Sequence, residues 1–218
     1  MSATPKIEIK KSKLLIVEGK DEENFFDAAM TQHLSIVDVQ VLPIGGKQNL
    51  YGNLKALMLD PAFPAVTCLG VVRDADSTAP GAASAVAANA AAASFNAVTG
   101  VLSSLGLPPP AGHAAFTPGP PRRVGVFIMP DGANDGMLET LCMSSAASQN
   151  GFACVGGFFN CMAASGVPLP SNMHKAQAQA WLASRPAPGK RLGEAAHASY
   201  WVWTDTAFSQ LWAFIRQM

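Results

Sequence analysis

Leu14-Leu15-Ile16-Val17 is a continuous apolar run with β-branched members, and it stops at Glu18-Gly19. A run without a polar side fits a strand covered on both faces, as in a parallel sheet with crossover helices above and below. Val66 to Val72 repeats the pattern and stops at Arg73-Asp74-Ala75-Asp76. Val37 to Ile44, closed by Gly45-Gly46, and Val124 to Met129 supply two more strands. Between the runs the period changes. Asp21 to about His33 carries Asp21, Glu22 and Glu23 in a first helical turn, where the helix dipole favours negative charge, followed by Phe25, Phe26, Ala29 and Met30. Leu50 to Leu59 places Leu50, Leu54, Leu57 and Met58 on one helical face. Strands alternating with helices predict an α/β, Rossmann-like fold: a mainly parallel sheet of about four strands flanked by helices, with right-handed crossovers.

The third crossover is longer than the others. An alanine-rich helix from about Ala82 to Leu105 leads into a Pro/Gly stretch, Leu107 to Pro121, that reads as an extended surface loop. Beyond Met129 the strand pattern gives way to helical stretches at Met137–Ser144, Gly156–Ala164, Met173–Ala183 and Ala207–Gln217. The expectation is one domain over residues 1–218, with an α/β core at 13–129 and a mostly helical C-terminal part at 130–218 that caps the sheet.

Hydrophobic residues make up 49% of the chain and charged residues only 14%, which excludes a disordered polyampholyte. The formal net charge is zero, so no whole-molecule field draws in a polyanion, and a strong nonspecific DNA binder is excluded. Cys68, Cys142, Cys154 and Cys161 lack paired C-x-x-C spacing and read as reduced core cysteines. No signal-peptide pattern and no membrane span is legible, and a cytoplasmic location is expected.

In an open parallel sheet, ligands bind at the carboxyl ends of the strands. Here those ends carry Glu18, Gly45-Gly46 and Asp74-x-Asp76. Carboxylates brought together repel one another, and a hard divalent cation, Mg²⁺ or Mn²⁺, would offset that repulsion while keeping waters for a phosphate to displace. The competing reading of Asp74 and Asp76 is an ordinary strand-end turn. Lys47, after Gly45-Gly46, is placed to meet a phosphate from a helix start, although Gly-Gly-Lys lacks full P-loop spacing and a solvated lysine is the alternative.

These motifs resemble the Toprim domain, which has a glutamate after its first strand and a D-x-D after its third. Leu14 to Glu22 is similar to the first motif and Leu69 to Ser77 to the second, with the glycine turn between them. The whole chain also resembles a family of small Toprim-related bacterial proteins of unassigned function, through Ile44-Gly45-Gly46-Lys47 with Asn49-Leu50, Val72-Arg73-Asp74-Ala75-Asp76 and Gly136-Met137-Leu138-Glu139. The resemblance implies that Glu18 is a metal ligand or general acid/base and that Asp74 and Asp76 hold metal. OLD-type nucleases place a second acid four residues after the first glutamate, the position of Glu22; Glu139, after the fourth strand, would complete a second metal site. Two ions about 4 Å apart would activate water and stabilise a leaving oxygen. A downstream lysine assists catalysis in OLD-type nucleases, which makes Lys175 a candidate. The structural alternative for Glu22 and Glu139 is a helix N-terminal acid, and for Lys175 a solvated helix lysine. Asp21 and Glu23 read as surface acids.

The function expected from the resemblance is a Mg²⁺-dependent, nuclease-like phosphodiester or phosphotransfer protein acting on nucleic acid or a nucleotide. OLD-type proteins usually carry an ATPase domain in the same chain, so a separate ATPase or other protein partner is implied. The alternative is a non-catalytic metal- or nucleotide-binding module that docks on a partner. No G-x-S-x-G is present, and Tyr51 and Tyr200 stand in no topoisomerase context. Trp181, Trp201, Trp203 and Trp212 read as core rather than as base-stacking platforms.

Overall fold

The computed structural model describes residues 8–75 and 84–218. Strands β1 (Lys13–Val17), β2 (Val39–Pro43), β3 (Cys68–Asp74) and β4 (Arg123–Met129) form one sheet in the order β2-β1-β3-β4. Every pair is parallel, with Ile16 opposite Leu42 on one side and Val71 on the other, and Asp74 opposite Met129. The expected α/β class is therefore present, and both faces of the sheet are covered.

The two-residue period of the strands divides the core. Leu15, Val17, Val72 and Phe127 face one way, toward Phe25 and Phe26 of helix α1 (Lys20–Ala29) and the C-terminal helices. Leu14, Ile16, Val71 and Val126 face the other way, toward Leu54 of α2 (Leu50–Met58) and Leu102 of α3 (Ser84–Ser104). Beyond β4 follow α4 (Leu138–Ala146), α5 (Ala153–Ala164), α6 (Met173–Ala183), α7 (Leu192–His197) and α8 (Ser209–Arg216). All five belong to the α1 side, so the helical C-terminal part caps one face.

Several boundaries differ from the sequence reading. The first helix does not continue to His33 as α-helix: it widens into a π turn over Met30–Leu34 and stops at Ser35 with φ +55°. The second strand is shorter at its start, leaving Val37 exposed, because the pairing with β1 begins only at Val39. The short helix α7 carries no periodic stripe long enough to be seen in sequence.

The segment Leu107–Pro121 is not an extended surface loop. Ala114 N donates to Val126 O at 2.8 Å and Thr117 N to Val124 O at 2.9 Å, with Phe116 bridged antiparallel to Gly125. A Cβ on Gly125 would stand 2.6 Å from the Phe116 ring, so glycine is what lets the ring lie on the strand. The segment covers the outer edge of β4, which would otherwise present unpaired backbone groups.

Trp181, Trp201 and Trp212 are buried and Trp203 packs against the same core, as their spacing predicts. The cysteines are all free, but the core expectation holds only for Cys68 and Cys142. Cys154 and Cys161 are exposed, because α5 buries only its Val155 and Phe159 side while its sequence is apolar nearly all round.

Candidate metal centre

Glu18 leaves β1 just as the sheet ends, and the Gly45-Gly46 turn docks on it. Ile44 N donates to Val17 O at 2.9 Å and Gly46 N to Glu18 O at 2.8 Å. Gly45 and Gly46 have φ +69° and +107°, conformations that side chains disfavour, so the two glycines let the chain fold back over the strand end. Gly19 opens α1 in extended backbone, and a Cβ there would lie 3.0 Å from Glu22 Oε2. The Glu22 carboxylate therefore folds back over the turn after Glu18.

Asp74 closes β3 beneath the start of α4. Its Oδ1 accepts the backbone N–H of Leu138 at 3.1 Å. Burial pushes its carboxyl well above the usual carboxylate range, and the charges of Glu18, Glu139 and Glu22 push in the same direction, against the hydrogen bond from the Leu138 N–H. Glu22 and Glu139 are also raised, first by burial. Both are held down by their own backbone N–H groups and by the Lys175 ammonium. Four acids from the ends of β1 and β3 and the first turns of α1 and α4 thus act on one another. Arg73 lies beside them, its Nε 3.7 Å from Glu18 Oε1.

A cleft of about 370 Å³ opens over these groups, lined by Glu18, Glu22, Gly45, Gly46, Glu139 and Lys175, with Asp21 and Arg191 at its margin. It gathers six of the residues singled out from the sequence. Asp74 is buried below it, and Lys47 stands exposed at the start of the turn Lys47–Asn49, outside the lining. Asp76 lies outside the described residues. Two residues were misjudged: Asp21 is no mere surface acid, since it lines the cleft, and Arg191, 173 positions after Glu18 in number, went unassigned. The signal that would have found Arg191 is Pro188-Gly189, a turn that places two successive cations at a helix start. Glu23 stays outside the cleft lining, its half-buried carboxylate paired with Lys20 at 2.7 Å.

Among the described residues, no three carboxylate, imidazole or thiol groups stand close enough together to hold an ion as placed. The donor set still has the chemistry of a hard cation site: carboxylates only, mutually repelling and partly desolvated. Glu18, Glu22, Asp74 and Glu139 are the groups that would hold such an ion.

The family model that matches the chain is described as "Protein of unknown function (DUF3226)", and the match runs over residues 12–218. The chain belongs to this family. Comparison with curated proteins and with solved structures gave no match. DUF3226 thus embraces both the sheet and the helical C-terminal part. No helix among the described residues is long and apolar enough to cross a membrane.

Proposed function

We propose that the protein is a Toprim-like, Mg²⁺-dependent phosphodiester or phosphotransfer protein, nuclease-like, acting on nucleic acid or a nucleotide. One observation carries the reading. Glu18, Glu22 and Glu139 line one cleft above Asp74, and burial together with their charges pushes the Asp74 carboxyl up, a strain that a bound cation would relieve.

A bound divalent ion would supply Lewis acidity to a phosphoryl oxygen and lower the pKa of a ligated water. The chain's own groups would divide the rest. Glu18, which lines the cleft, would orient or deprotonate an attacking water. Lys175, whose ammonium acts on both Glu22 and Glu139, is placed to meet the negative charge that develops on phosphate oxygens. The Gly45-Gly46 turn lines the same cleft, and with the Gly46 N–H already given to the Glu18 carbonyl it would serve a phosphate through the close approach its bare backbone allows.

A second reading, a non-catalytic metal- or nucleotide-binding module, is favoured by the absence of a ready three-ligand group among the described residues and by the structural bond of Asp74 to Leu138. Isothermal titration with Mn²⁺ and Mg²⁺ on wild type, Glu18→Gln and Asp74→Asn, followed by turnover assays on DNA, RNA and nucleotides, separates the two. Binding that both substitutions abolish, with turnover on one of these substrates, supports the enzyme. Binding without turnover supports the module, and no binding by wild type rejects the metal altogether.

A further inference from the structure

A second cleft, of about 400 Å³, lies between α6 and the segment leading into α7. Lys175 and Gln179 line it from α6, Lys190 and Arg191 from the segment, and Leu182 and Leu192 form an apolar floor. It shares Asp21, Glu139, Lys175 and Arg191 with the acidic cleft, so the two adjoin along those residues.

The wall that carries Lys190 and Arg191 is built in, not a stray loop. Gly193 packs against α1 so closely that a methyl group there would overlap the Asp21 carbonyl oxygen and Asn24 Cβ. Arg191 N donates to Glu194 Oε2 at 3.0 Å, which fixes the backbone at the entry to α7. Lys175, Lys190 and Arg191 have no ion-pair partner within 4.0 Å among the described residues. Asp21 and Glu139 border the cleft and Lys175 acts on Glu139, whereas the successive cations Lys190 and Arg191 are left to attract a further anion.

The size and character of the cleft define that anion. Its volume sits at the small end of small-molecule sites, roughly 300–1,000 Å³. One side is cationic and the floor is apolar, and Gln179 offers both a donor and an acceptor, the needs of a phosphate, a flat ring and a ring edge respectively. A duplex interior would need a longer basic track, and the chain has a net charge of zero with Lys20 already committed to Glu23.

We infer that this cleft takes a single nucleotide unit, free or at a strand terminus, with its phosphate on Lys175, Lys190 and Arg191 and its base over Leu182 and Leu192. The inference rests on the phosphotransfer reading for what happens to that nucleotide, but binding itself needs no metal.

The test titrates the full chain in EDTA with adenosine monophosphate, with a 5′-phosphorylated single-stranded oligonucleotide, and with inorganic phosphate. A covalently closed circular duplex serves as competitor, and Mn²⁺ is titrated separately. Adenosine monophosphate and the oligonucleotide are expected to bind with Kd below about 1 mM, unaffected by the closed duplex. The paired substitution Lys190→Ala and Arg191→Ala is expected to weaken both by about tenfold or more. Gln179→Ala, on an exposed helix face, should weaken the nucleotide about threefold and leave inorganic phosphate unchanged. Absence of nucleotide binding while Mn²⁺ still binds overturns this inference alone, as does wild-type affinity in the paired variant or displacement by closed duplex. Nucleotide binding that depends on Lys190 and Arg191, without any Mn²⁺ binding, upholds the nucleotide site and overturns the metal reading.

Discussion

Leu138 donates its backbone N–H to Asp74 Oδ1 at 3.1 Å, so the last residue of β3 holds the first turn of α4 across a separation of 64 residues. Only one of the two carboxylate oxygens is used in that bond. The same side chain is destabilised by Glu18, Glu139 and Glu22, and so it serves the fold through hydrogen bonding while working against it through charge.

Asp74→Asn should therefore raise the metal-free stability near neutral pH, by about 0.5–2 kcal/mol, since asparagine keeps an acceptor for Leu138 and drops the charge. The sign follows from linkage. With a folded pKa raised above 3.8, the native state binds the proton more tightly than the unfolded chain, so wild-type stability is fullest below 3.8 and falls as the pH rises through the folded value. Thermal melts of both proteins across pH should converge in acid and diverge above it. Parallel profiles would show that Asp74 is not under electrostatic stress.

His113 should act in the opposite sense. Its Nδ1 accepts the Ile128 N–H at 3.1 Å, and the ring packs 4.4 Å from Phe127. Burial lowers its pKa from 6.5, more than the nearby Asp131 raises it. The unfolded chain then takes up the proton first, so this contribution is present above 6.5 and is lost as the pH falls through the folded value. His113→Phe should be less stable by about 0.5–1.5 kcal/mol above that range and should lack the acid loss. Denaturant melts of the pair against pH measure the difference.

Gly193→Ala should destabilise the protein by about 1–3 kcal/mol, because the added methyl must push α7 away from the Asp21 carbonyl. The same shift carries Lys190 and Arg191 with it. Metal-free adenosine monophosphate binding is expected to weaken in this variant even at temperatures where circular dichroism shows it fully folded.

Thiol titration should divide the cysteines evenly. Cys154 and Cys161 are exposed and should react promptly with an aromatic disulfide reagent, whereas Cys68 and Cys142 are buried and should wait for denaturant. Burial also pushes the Cys68 and Cys142 thiols up, which slows them further. Prompt reaction of all four would contradict the packing of β3 and α4.

The strands were legible because a doubly covered strand must be apolar on both sides: Leu14 to Val17 has no polar position, and Val66 to Val72 has only Thr67, which is exposed just before β3 begins at Cys68. Glu18 and the Gly45-Gly46 turn were legible because each directly follows an apolar run, and Asp74 because it stands just behind Arg73 at the end of another. Local pattern could not reveal that Leu107–Pro121 seals the edge of β4, since its backbone bonds are made to residues several turns of chain away. Nor could it distinguish Cys161 from Cys142, because exposure depends on which side of a helix finds a neighbour.

By itself the sequence determined four strands alternating with helices in a mainly parallel sheet and the acids at the strand ends, which follow from short-range periodicity, whereas the order β2-β1-β3-β4 came from the tertiary structure. Tertiary structure alone decided that Arg191 and Asp21 line the cleft with Glu18, Glu139 and Lys175. The physical reason is that α4, α6 and α7 are positioned by burial of their apolar sides on the α1 face, a non-directional force whose outcome depends on the whole surface they cover and on the bare backbone of Gly193.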